Sequence, residues 1–145
     1  MLPVVKRLFH TAHIYMIVGV ISGLYYREIT KLNDFTGDTQ LGVVHTHLLA
    51  LGMLFFLGVL ALEKLFTLSA EKKLFDWFFW VYNAGLALTV LMMTIHGTQT
   101  VLGAKTSAAI SGIAGLGHIV LTVGLILFFV TLGKRIPSAK ETEQG

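Results

Sequence analysis

Four stretches of the chain are nearly free of charge, and short polar segments separate them. They run from about residue 8 to 26, 41 to 62, 77 to 102 and 107 to 132. At 1.5 Å of rise per residue, helices of this length cross a hydrocarbon core about 30 Å thick. Within the first, Gly19 and Gly23 form a GxxxG face on which a neighbouring backbone can lie close. A polar loop follows with Arg27, Lys31, Asp34 and a Thr36-Gly37-Asp38 turn, and either Asp38 or Thr39 can cap the second helix. That helix is expected to end at Glu63-Lys64. Glu71, Lys72, Lys73 and Asp76 then lead into Trp77, Phe78, Phe79, Trp80 and Tyr82, an aromatic belt of the kind found at a membrane surface. The fourth stretch carries Ala108, Ser111, Gly112, Gly115 and Gly124, small residues at packing intervals. Residues from about 137 to 145 are polar and expected to be a disordered tail.

The expected fold is therefore all-α, a single membrane domain built as an integral four-helix bundle. A composition of 54% hydrophobic and 13% charged residues over 145 positions excludes an ordinary soluble domain. A cleavable signal peptide is a poor reading of the first stretch, which ends in Tyr25-Tyr26-Arg27 instead of a small-residue cleavage site. The net charge of +3 reads as topology. With both termini cytoplasmic, Lys6, Arg7, Lys64, Lys72, Lys73, Lys134, Arg135 and Lys140 fall inside and only Arg27, Lys31 and Lys105 outside. No basic tract with interleaved aromatics suggests nucleic acid. No GxGxxG, Walker, nucleophile-elbow or metalloprotease pattern occurs.

With no cysteine, disulfides, iron-sulfur clusters and thiolate ligands are excluded, which leaves histidine and methionine as the nitrogen and sulfur ligands. His45 and His47 sit two apart inside the second stretch, so on a helix they face about 200° away from each other. They are poorly placed to share one small ion and well placed to serve two neighbouring sites. Depth counting puts His45, His47 and His96 in one layer near the outer surface, with His118 nearer mid-membrane. Burial favours neutral imidazole, the form that binds iron or copper. With no carboxylate in this layer, haem iron or copper suits the set better than magnesium, calcium or manganese. The third stretch is rich in polar groups (Asn83, Thr89, Thr94, His96, Thr98, Gln99 and Thr100), which should face protein, cofactor or water. Two other readings stay open: a cofactor-free proton or ion pathway, and histidines that only hydrogen-bond between helices. His10 and His13, three apart near the other surface, read as interfacial residues without a ligand role.

Residues 38 to 55 resemble the ligand-bearing helix of the haem-copper oxidase catalytic subunit. In that family an Asp-Thr pair and a Val-Val start precede a His-x-His motif, as Asp38-Thr39, Val43-Val44 and His45-x-His47 do here. The resemblance implies that His45 ligates one haem and His47 another on the opposite face. Oxidase subunits carry three arcs of four helices, so this chain resembles one arc, and a homotrimer could imitate the whole. The chain also looks like small four-helix bacterial proteins of the cytoplasmic membrane. There is no adjacent histidine pair of the kind that helps hold copper, and Gly52 stands one position earlier than the family's glycine. His96 is the candidate substitute for a copper or second haem ligand. The expected cofactor set is thus haem, b-type by preference, at His45, His47, His96 and His118. Copper is a further candidate at His45, His47 and His96, and a quinol or redox protein is the expected partner. Electron transfer or diatomic gas binding is the expected function. A minimal quinol oxidase or an oxygen or nitric oxide reductase is the enzymatic rival. Arg27 and Lys105 are candidate partners for haem propionates.

Overall fold

The computed structural model describes residues 3–137, and the expected tail lies outside the described residues except for Pro137. Four helices dominate: α1 (Val4–Leu32), α2 (Leu41–Phe66), α3 (Lys72–Val101) and α4 (Ala108–Arg135). All four are long and apolar enough to cross a membrane, and no strand occurs among the described residues. Most of their ends run past the apolar stretches. Charged side chains cost a helix little once its end is in water, so Arg27, Glu28 and Lys31 continue α1, while Lys72, Lys73 and Asp76 begin α3.

Of the two cap candidates for α2, Thr39 engages. Its Oγ1 accepts from the Leu41 N–H at 3.3 Å and donates to the Gly97 carbonyl at 2.8 Å, which ties the start of α2 to α3. Ser107 caps α4 by accepting from the Ile110 N–H at 3.3 Å. The other end of α2 lies at Phe66 instead of Glu63. Glu63 is buried, and its carboxylate accepts from both the Ser69 N–H (2.9 Å) and the Ser69 hydroxyl (2.5 Å), which holds the short 3₁₀ turn Leu68–Ala70 against the helix.

The middle of α2 departs from α geometry. Leu48–Leu54 is a π-helical segment that begins directly after His47. A wider turn loosens the carbonyl ladder, and here the Tyr82 hydroxyl donates to the Leu51 carbonyl at 2.8 Å. Gly52 in the same segment lies flat on the Tyr15 ring, in space a Cβ would need.

The helices form an open series: α1 packs on α2, α2 on α3, and α3 most extensively on α4, whereas α1 and α4 share no interface of any extent. The α3–α4 seam runs through glycine. A Cβ at Gly117 would stand 2.7 Å from Thr89 Oγ1, and one at Gly124 would stand 2.7 Å from Tyr82 Cα. The expected small-residue face on α4 is only partly used, since a Cβ at Gly112 or Gly115 would meet nothing within 4 Å. An aromatic cluster anchors one end of the series. Phe55 stacks on Tyr82 at 4.3 Å and meets Phe78 and Phe128 edge-on, and Phe56, Phe78 and Tyr82 are fully buried. Side chains also link α1 to α3: Arg7 to Asp76 (3.2 Å), Tyr15 to Asn83 (2.6 Å) and Tyr25 to Thr98 (2.8 Å).

Candidate functional site: a histidine-bordered cleft

The contacts of α3 fix where each histidine faces. Asp76, Asn83 and Thr98 meet α1, whereas Tyr82, Gly85 and Thr89 meet α4. At 100° per residue these two sets occupy opposite flanks of α3, with Gly97 against Leu41 of α2 between them. Helices α1 and α4 thus lie on opposite sides of the α2–α3 pair.

On α2, His45 turns toward α1. A Cβ on Gly23 would sit 3.7 Å from the His45 Cβ, and the neighbouring Leu49 lies against Gly19, so both glycines of the GxxxG pair serve this seam. His47, about 200° further round, turns away from α1 to the side where α4 lies. On α4, Gly117, Leu121 and Gly124 face α3. His118 is one residue, or about 100°, beyond Gly117 in the right-handed sense that carries it toward the α2 flank. His47 and His118 therefore border one cleft between α2 and α4, with α3 as its floor. Thr89 and His96 sit on the α4 flank of that floor.

Depth follows from register. Gly117 against Thr89 and Gly85 against Leu121 put His118 level with Leu88, and Leu41 against Gly97 puts His47 level with Leu91. At 1.5 Å per residue they differ by about 5 Å in depth, less than one helical turn. His96 lies nearer the Leu41 end of α2. His45 is close to the His47 level but on the α1 side. Among the described residues no group of three or more histidine, cysteine, aspartate or glutamate side chains is gathered closely enough to hold a metal ion. His45, His47 and His96 do not converge on one small ion.

The four histidines differ in their hydrogen bonding. The Nδ1 of His47 is 2.9 Å from the Val43 carbonyl, and that of His118 is 2.9 Å from the Ala114 carbonyl. A carbonyl oxygen only accepts, so each Nδ1 carries the hydrogen and each neutral ring presents an Nε2 lone pair. Bonding one ring nitrogen to a carbonyl is how metal-binding histidines are commonly oriented. The Nδ1 atoms of His45 and His96 are instead buried with no hydrogen-bond partner, as are Thr89 Oγ1 and Gln99 Oε1. Buried polar atoms are nearly always paired, and four of the five unpaired ones among the described residues lie on α2 and α3, the fifth being Arg7 Nε at the other end of the molecule.

His10 and His13 lie on α1 beside Phe9, away from this cleft, with ring centroids 5.5 and 5.8 Å from that phenyl ring. Arg27 is exposed and 3.9 Å from Glu28, and Lys105 is exposed in the α3–α4 loop. Thr89 belongs to the site and was legible only as one polar residue among several. Its importance depends on Gly117, which lets α4 approach closely enough to seal the hydroxyl.

The donor set fits haem iron: imidazole nitrogens on three helices, two of them with Nδ1 held by a carbonyl, and no Asp or Glu in the sequence between Leu41 and Leu62 or between Trp77 and Leu132. No curated protein and no solved structure matches the chain. One family model, described as "Protein of unknown function (DUF2871)", matches residues 5–135, and the chain belongs to that family.

Proposed function

We propose that this is a membrane haem-binding protein that carries electrons or binds a diatomic gas. His47 and His118 would hold the haem in the α2–α4 cleft, and His45 would hold a second one on the α1 side. The observation that carries this reading is the pair of anchored rings: both histidines border one cleft, each with Nδ1 held by the carbonyl four residues back. Bound haem, b-type by preference, supplies reversible one-electron chemistry and, where an axial position stays open, a site for a small gas.

The chain's own residues do the rest. The carbonyls of Val43 and Ala114 hold the two rings in place and raise the basicity of Nε2. His47 is half-buried and His118 is exposed on the outward side of α4, so the cleft is open along the surface between α2 and α4. Thr89 Oγ1 is sealed beneath Gly117, and His96 lies on the α4 flank of α3 with its Nδ1 buried and unpartnered. Lys105 supplies positive charge in the α3–α4 loop at that end, suited to carboxylates, and Arg27 does so on the α1 side.

In the proposed setting the termini face the cytoplasm of a bacterial cell, because the basic residues gather at that end of the helices. A homotrimer would cover the open side of the series, with a quinol or redox protein as electron partner. Oxygen or nitric oxide reduction is the enzymatic form of the same proposal, with His96 as the nitrogen available for a second metal. The orphaned Thr89, His96 and Gln99 atoms also favour a second reading, a polar pathway along α3 without cofactor.

Absorption spectra of detergent-purified protein, oxidised and dithionite-reduced, separate the two. Haem ligation gives an intense Soret band and sharp reduced bands that His47→Ala and His118→Ala each abolish or convert to a high-spin form. A colourless protein from haem-sufficient cells would support the pathway reading instead.

A further inference from the structure

The groove between α1 and α2, toward the Arg7 end, contains a second set of soft donors. A cavity of about 170 Å³ there is lined by Phe9, Ala12, His13, Met16, Met53 and Leu57. His13 and Met16 are three apart on α1 and so occupy one face of it. The register of the seam, with Gly52 on Tyr15 and Gly19 on Leu49, places Met53 between the levels of His13 and Met16. One imidazole and two thioethers from two helices thus line one groove within about one helical turn of depth.

We propose that this groove binds a single Cu(I) ion through a ring nitrogen of His13 and the Sδ atoms of Met16 and Met53. Thioether sulfur selects Cu(I), whereas magnesium, calcium and manganese require oxygen donors, and none of the lining side chains carries a carboxylate or hydroxyl. Zinc sites are built from thiolate, imidazole and carboxylate donors, and this groove offers one imidazole and no thiolate or carboxylate. Phe9 packs against His13 at 5.8 Å and limits the directions the ring can take. Methionine also fills irregular apolar gaps without binding anything. Leucine fills similar volume without sulfur, so Met→Leu separates packing from ligation.

The site is independent of the histidine cleft and of haem. Chelator-washed, detergent-purified protein would be titrated anaerobically with Cu(I) against a chromogenic Cu(I) chelator. Wild type, Met16→Leu, Met53→Leu and His10→Ala would be compared. One Cu(I) per chain is expected, with affinity at least about tenfold weaker in each Met→Leu variant and unchanged in His10→Ala, which lies outside the groove lining. X-ray absorption of copper-loaded wild type should show sulfur in the first coordination sphere, a readout that holds even if a variant fails to fold. Absence of stoichiometric Cu(I), a first shell of nitrogen alone, or wild-type affinity in both folded Met→Leu variants would overturn the proposal. Loss of copper only in His10→Ala would overturn it too, by moving the metal out of the groove.

Discussion

A histidine inside a membrane helix is informative mainly through what its two ring nitrogens touch. In His47 and His118 one nitrogen is committed to a carbonyl of the same helix and the other is left with its lone pair. In His45 and His96 the Nδ1 is buried without a partner. The two classes should respond differently. On the proposed haem-binding reading, His47→Ala and His118→Ala should each lose haem from the cleft or change its spectrum, whereas His45→Ala should leave the cleft unaffected. Haem content and reduced spectra of the three variants check this. Glycine offers a test of packing at the same scale. Gly124→Ala should cost about 1–3 kcal/mol, because the new methyl meets the Tyr82 backbone and α3 and α4 must separate. Gly58→Ala, with nothing within 4 Å, should be neutral or gain up to about 1 kcal/mol. Thermal unfolding in detergent compares the two.

Among the elements, the apolar runs were legible in sequence because charge cannot stay in hydrocarbon. The run from Leu41 onward begins where α2 begins, and Ser107 caps α4 where the expected fourth helix starts. The ends were harder to read. Arg27 and Lys72 stop a hydropathy run without stopping a helix, and Glu63 looks like a surface residue until Ser69 folds back onto it. The π segment had no local signal at all. It depends on Tyr82 of another helix reaching the Leu51 carbonyl, and on Tyr15 taking the space beside Gly52. Likewise Gly112 and Gly117 look alike in sequence, and only the register of α3 on α4 decides that Gly117 carries the close contact. His45 and His47 were legible as opposite-facing because two residues of helix suffice to fix that angle. That His47 and His118 would border one cleft required the tertiary register. Tyr82→Phe isolates the π-segment contact. It should cost about 0.5–1.5 kcal/mol and loosen Leu48–Leu54, read as faster amide exchange there than at Phe55–Phe66.

For the whole molecule, the open series of helices is the feature with the most consequence. Helices α1 and α4 do not close on each other, and Ile14, Ile21 and Leu24 on α1 and Ile119, Ile126 and Phe129 on α4 remain exposed. Lipid can cover such faces, and so can further copies of the chain. A trimer is the expected state, and native mass spectrometry of the detergent complex should show three chains with their haems, against one chain if lipid alone covers the faces. The charged end is knit together by Arg7–Asp76 and Lys72–Asp76 pairs at 3.2 and 3.3 Å and by Arg135 donating to the Phe66 carbonyl at 3.1 Å. The Lys72–Asp76 pair is exposed on the lysine side and contributes little to stability, whereas Arg7 is half-buried over the Phe75 and Phe79 rings as well as paired with Asp76.

Haem ligation by His47 in the α2–α4 cleft is tested most directly by the haem-to-chain ratio of protein purified from haem-sufficient cells, wild type beside His47→Ala. At least one haem per wild-type chain is expected, with six-coordinate reduced bands, and a loss of that haem or a shift to a high-spin spectrum in the variant. Wild-type protein that is folded and colourless, or a His47→Ala variant with unchanged haem and unchanged bands, would contradict it.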